Sequence, residues 1–202
     1  MRVSGSKKYS EENYLEEYKM LREESQDCFR RQQEWSLFSI TTVIALVSLA
    51  LNLKNIEPEM YLLPYIVLCI ASVKVHNLRD NILRIAGYMK AEMESTAGFM
   101  WETHVNRYRN NYEQKRGLFW KFVGFVETQE FTILGLLCSA LYIWEIGDKL
   151  IVCDPPYIEV RYAVGIAMNI LMVLFLINVS KNYFTLRSNE IDNNMDAWKR
   201  IL

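Results

Sequence analysis

Four uncharged apolar runs punctuate an otherwise strongly polar chain. Ser36 to Leu53 is the first, Met60 to Val73 the second, Phe131 to Trp144 the third and Tyr162 to Ser180 the fourth. A helix that crosses a bilayer needs about 20 mostly apolar residues, with roughly 17–25 tolerated. The first and fourth runs meet that length outright. The second and third are shorter. They reach it only when polar flanks are drawn in, Glu145 at the end of one and the snorkelling stem of Lys74 at the end of the other. The pattern therefore predicts four spans. Two spans plus two buried helices is the main competing arrangement, and a wholly soluble helical bundle is the third.

The segments between the runs carry helical signals of their own. Residues 10–35 predict one helix, with Ser10 as N-cap and Glu11 and Glu12 in the first turn, where the helix dipole favours anions. Tyr14, Tyr18, Leu21, Ser25, Cys28, Gln32 and Trp35 recur at alternating spacings of four and three, a heptad-like seam suited to another cytoplasmic helix or to a symmetry mate. The helix is expected to continue unbroken into the first span. Residues 74–130 predict one or two amphipathic helices, with Ile82, Ile85, Ala86 and Met89 as an apolar stripe and Gly98 and Gly117 as breaks. The expected fold is all-α and integral to the membrane, four transmembrane helices in two hairpins with cytoplasmic helical extensions. Its parts are a cytoplasmic N-terminal helix (1–35), a first hairpin (36–76), a cytoplasmic helical segment (77–130), a second hairpin (131–182) and a cytoplasmic C-terminal helix (183–202).

Charge orients this arrangement. Lys and Arg number seven in residues 1–35, nine in 74–130 and four in 181–202, against one in 54–59 and two in 145–161. Twenty basic residues therefore fall on one side and three on the other, and the positive-inside rule makes the richer side cytoplasmic. Pro58, Pro155 and Pro156 sit in the two outer turns, where chain breakers belong. Tyr61, Tyr65, Tyr142, Trp144, Tyr157 and Tyr162 cluster near the outer boundary as an aromatic belt would, with Trp35 and Tyr183 at the inner one. Both termini are therefore expected on the cytoplasmic side. No short apolar run with a small-residue cleavage site opens the chain, so no signal peptide is expected.

Composition narrows the function classes. The 202 residues hold 23 basic and 24 acidic side chains, a formal net charge of −1, and that balance excludes a strongly basic nucleic-acid protein and an acidic disordered tail. The near-zero mean hydropathy of −0.02 is an average over the segregation just described. Four cysteines are too few for a disulfide scaffold and read as reduced, packed thiols. Two histidines, no paired Cys-x-x-Cys, no phosphate-cradling glycine loop and no nucleophile elbow leave no enzymatic motif. The chain is not expected to be an enzyme, and no cofactor or metal is implied.

Polar side chains inside the apolar runs are the more informative chemistry, because such groups face a bundle interior or water. Thr42, Ser139, Glu145, Asn169 and Asn178 are the pore-lining candidates. Asn169 is nearest mid-span, as interhelical glue or as a pore residue. Glu145 at the outer mouth suits an acidic ring in an oligomer or a solvated interfacial acid. Gly135/Ser139 and Ala163/Ala167 are small-xxx-small pairs that permit close helix approach. In the cytoplasmic part, residues 11–27 carry a balance of −5 and residues 101–121 a balance of +3. The basic stretch interleaves aromatics with bases. Arg107, Tyr108, Arg109, Tyr112, Lys115, Arg116 and Trp120 are its ligand-binding candidates, suited to single-stranded nucleic acid or a nucleotide, to anionic lipid, or to pairing with the acidic helix.

Two stretches carry a resemblance. They are Tyr18-Lys19-Met20-Leu21-Arg22-Glu23-Glu24 and Arg84-Ile85-Ala86-Gly87-Tyr88-Met89-Lys90, the latter followed by Trp101-Glu102. They resemble small bacterial helical membrane proteins with two hairpins and cytoplasmic helices, and among these the membrane effectors of anti-phage defence of the Hailong type. That resemblance implies an oligomeric ion channel held shut by a single-stranded DNA oligomer, which a partner nucleotidyltransferase makes. The expected function is thus a homo-oligomeric, ligand-gated ion channel of anti-phage defence, controlled by a cytoplasmic polyanion. The alternative is a non-conducting membrane anchor or scaffold for a cytoplasmic partner.

Overall fold

The computed structural model describes residues 11–53, 57–94, 100, 103–105, 107, 117–119, 122, 125–126, 129–152, 156–185 and 190–201. Its elements are helices. Helix α1 runs Glu11–Asn52. A 3₁₀ turn at Pro58–Leu62 leads into α2 (Leu63–Tyr88), which continues as a π turn at Met89–Met93. Helices α3 (Glu130–Val152), α4 (Pro156–Thr185) and α5 (Glu190–Ile201) complete the chain. Among the described residues there is no strand. Four helices, contained in α1, the 3₁₀ turn through the π turn, α3 and α4, are long and apolar enough to cross a membrane.

The predicted seam of α1 is a real stripe. Tyr14, Tyr18, Leu21, Ser25, Cys28, Gln32 and Trp35 are all buried or half-buried, and the stripe continues through Ser39, Val43, Val47 and Ala50. The opposite face stays exposed, from Glu12 to Leu51. A 42-residue helix without an internal Gly or Pro has no reason to break, and it rises about 63 Å at 1.5 Å per residue.

The chain divides into two compact units. One gathers the first part of α1 to Arg30, α2 from Leu78 onward, the π turn and α5. Its apolar core is Ile85, Met89 and Met93, with Tyr18, Leu21 and Tyr88 packed against it. The seam of α1 is therefore covered at its start by another helix of the same chain. Helix α5 docks on the π turn and on Gly87, whose hydrogen faces Asn194 so closely that a Cβ there would lie 2.6 Å from the Asn194 Cβ. Lys90 Nζ meets Asp192 Oδ1 at 2.5 Å and fixes the same contact.

The other unit holds the rest of α1, α2 up to Asn77, α3 and α4. Val43, Val47, Tyr65, Leu68, Cys138 and Leu176 form one cluster, and Ala50, Tyr61, Tyr142, Ile146 and Tyr162 a second. Tyr61, Tyr65, Tyr142 and Tyr162, expected near the outer boundary, are buried within the bundle. Each has an apolar ring that fills the core, and Tyr65 also finds a backbone acceptor for its hydroxyl. Trp144 is 72% exposed. Cys28, Cys69 and Cys138 are free thiols.

Candidate functional site

The hydroxyl groups of the apolar segments divide into two kinds. Ser39 donates to the Ser36 carbonyl at 2.8 Å, Thr41 to the Leu37 carbonyl at 2.9 Å and Ser72 to the Cys69 carbonyl at 2.9 Å. These are bonds to the preceding turn of the same helix, which hide a hydroxyl cheaply in an apolar setting. Ser139 and Tyr65 instead reach across helices.

Those two converge on Asn169. Ser139 Oγ donates to Asn169 Oδ1 at 2.8 Å, and the Tyr65 hydroxyl lies 3.4 Å from the same oxygen while donating to the Gly135 carbonyl at 2.6 Å. Asn169 is 4% exposed and Tyr65 0%. The node joins α2, α3 and α4. The Asn169 amide nitrogen is buried and has no acceptor among the described residues. Gly135 makes the approach possible, because a Cβ there would lie 2.5 Å from Leu176 Cδ1. The small residue at 135 therefore serves a contact between α3 and α4, as its spacing with Ser139 suggested. Ala163 and Ala167 are exposed. A second close approach was not read from the sequence. Gly165 lies beneath Tyr142, where a Cβ would fall 1.8 Å from the Tyr142 hydroxyl oxygen.

The remaining pore-lining candidates sit elsewhere. Thr42 is half-buried on α1, Glu145 is half-buried on α3 against the Tyr61 phenol, and Asn178 is exposed on α4. Only Ser139 and Asn169 of the five are brought together. Of the ligand-binding candidates, Arg107 is helical and exposed. Tyr108, Arg109, Tyr112, Lys115, Arg116 and Trp120 lie outside the described residues.

The first unit contains a groove of about 460 Å³ that no single motif announces. Glu17, Leu21 and Glu24 of α1 form one wall. Asn81, Arg84, Ile85 and Tyr88 of α2 form the other, and Trp198 of α5 also lines it. The Tyr88 hydroxyl donates to Glu17 Oε1 at 2.7 Å. Burial first, and then the hydrogen bond and charge of Glu17, push the Tyr88 phenol above its ordinary value of 10.0. Trp198 packs edge-on against the Tyr88 ring, centroids 5.1 Å apart, and donates its indole N–H to the Arg84 carbonyl at 3.2 Å. The Arg84 guanidinium bonds Asn81.

Comparison with protein-family models, with curated proteins and with solved structures gives no match for this chain. The functional reading therefore rests on these residues. Among the described residues, no group of three or more His, Cys, Asp or Glu side chains is placed to hold a metal ion.

The groove residues were missed as a set at the level of sequence. Glu17 falls in the acidic segment 11–27, read as a partner for the basic segment 101–121, and Tyr88 in the stretch that carries the resemblance. The signal that would have found Trp198 is the Ile191, Met195, Trp198 spacing, one face of a short amphipathic helix.

Proposed function

We propose that the chain is a homo-oligomeric ion channel of a bacterial inner membrane, an effector of anti-phage defence gated by a cytoplasmic polyanion. Its four apolar helices form two hairpins across the bilayer, and both termini are cytoplasmic. The observation that carries the reading is the continuity of α1 and α2. Each belongs in part to the polar unit and in part to the apolar one, without a break at the change of unit. At about 63 Å, α1 is roughly twice the ~30 Å thickness of the hydrocarbon layer. A ligand held by the polar unit is then proposed to bias the shut and open states. It does so only to the extent that its affinity differs between shut and open states.

Four helices enclose no wide pore, so conduction needs several copies. Thr42, Glu145 and Asn178, none of them fully buried within one chain, are the candidates to line a pathway between subunits. Ser139 and Asn169 hold each subunit together and line that pathway only if the node opens. The polyanion, a single-stranded DNA oligomer or a nucleotide supplied by a nucleotidyltransferase, is assigned to the basic, aromatic segment 101–121. Its phosphates suit Arg and Lys donors, and its bases suit the interleaved rings. Charge reversal at Arg107, Arg109, Lys115 and Arg116 tests that site. Loss of oligonucleotide binding and of its salt dependence is expected, and retained binding refutes it.

A membrane-potential dye tests the channel reading in cells. Expression of the chain should depolarise bacteria, and co-production of the polyanion should restore the potential. A second reading, a non-conducting anchor for a cytoplasmic partner, is favoured by one feature, the open groove of the polar unit. It predicts no depolarisation in either condition.

A further inference from the structure

The groove between α1, α2 and α5 has chemistry that the polyanion reading does not use. Glu17 and Glu24 stand two turns apart on the same face of α1, about 10.5 Å along the axis, with Leu21 between them and Ile85 opposite. Glu17 accepts the Tyr88 hydroxyl on one of its two oxygens, and Glu24 is exposed to solvent. The rings of Tyr88 and Trp198 add faces that attract cations. The stretch of α1 around the groove, residues 11–27, carries a balance of −5 and strengthens the negative field.

We infer that this groove binds a linear polyamine. The two carboxylates match two terminal ammonium groups, Leu21 and Ile85 match the methylene segments on either side of an inner ammonium that stays in solvent, and the rings of Tyr88 and Trp198 hold one terminal ammonium against their π faces. The terminal nitrogens of an extended spermidine lie at a spacing close to that of Glu17 and Glu24. A compact divalent metal ion offers neither the length nor the apolar middle. Among the lining residues Arg84, on the facing wall, opposes such a ligand, and its guanidinium bonds Asn81 of the same wall. The site stands whether or not the chain conducts.

Isothermal titration of the purified full-length chain in detergent tests this, with spermidine, butylamine and magnesium chloride as probes. Spermidine is expected to bind saturably and butylamine much more weakly. Glu24→Gln should weaken spermidine by about three- to fivefold, the scale of one partly exposed charge pair. Arg84→Ala should tighten it, the opposite of what an anion or nucleotide site would show. Both positions are exposed, so both variants should keep the helical spectrum of the parent. Absence of spermidine binding overturns the assignment. So does equal binding of magnesium with the same loss in Glu24→Gln, which would mark a diffuse acidic surface. Weaker spermidine binding in Arg84→Ala overturns it too.

Discussion

Ser139 holds Asn169 through a single hydrogen bond of 2.8 Å that ties α3 to α4 in the middle of the apolar unit. The Asn169 amide nitrogen is buried, with no acceptor among the described residues. The asymmetry of buried hydrogen bonds then makes a specific prediction. Removing one partner strands the other, whereas replacing both with apolar groups is nearly neutral. Ser139→Ala should lower thermal stability in detergent by about 1 kcal/mol, within the range measured for interhelical bonds in membranes. Ser139→Ala combined with Asn169→Leu should recover most of that loss. Unfolding followed by circular dichroism checks both variants.

Gly165 and Tyr142 form a steric pair. A Cβ at 165 would overlap the Tyr142 hydroxyl oxygen at 1.8 Å, while the ring carbon that bears it is 3.0 Å away. Gly165→Ala should therefore destabilise the apolar unit by about 1–3 kcal/mol, the scale of core overpacking. Tyr142→Phe in the same chain should restore a large part, because it removes the atom in collision. The double-mutant cycle measures the coupling.

Gly87 is the corresponding point in the polar unit. Its missing side chain admits α5, and the neighbouring atoms include Asn194 C and Met195 N at 3.1 Å. Backbone at that distance does not yield as a side chain tip would. Gly87→Ala should push α5 away and expose Trp198. Hydrogen exchange over residues 190–201 should rise strongly, since a 12-residue helix is marginal on its own in water. Exchange within α3 and α4 should stay unchanged.

Tyr88 sets an upper pH limit on the same unit. Its folded phenol ionises at higher pH than the free side chain, through burial and Glu17. A raised value means that the neutral form is favoured by folding. Its contribution is fully present below the ordinary tyrosine value of 10.0 and is lost as pH climbs from there towards the folded value. Stability of the polar unit should therefore be insensitive to Tyr88 between pH 6 and pH 9 and should fall above about pH 10. Tyr88→Phe should remove that alkaline component.

The helices were legible in the sequence because apolar periodicity records them directly. The seam from Tyr14 to Trp35 reappears as one stripe of α1, and the four apolar runs reappear as four helices of sufficient length. Azimuth was harder to read. Tyr61, Tyr65 and Tyr142 lie near the ends of apolar runs, where composition reports depth along the helix and not the direction a ring faces. The π turn at Met89–Met93 has no signature, since Met-Lys-Ala-Glu-Met is ordinary helical sequence. Asn169 was singled out as a costly polar residue, but its partners Tyr65 and Ser139 come from separate segments and only packing joins them. The groove was hidden for the same reason, with its walls drawn from residues 17–24, 81–88 and 198.

Recording from a planar bilayer that contains the purified chain decides whether the protein conducts ions. Discrete conductance steps without ligand, suppressed when a single-stranded DNA oligomer is added to the cytoplasmic face, are the predicted result. A bilayer that stays electrically silent in every ligand condition, with incorporation of the protein verified, would contradict it.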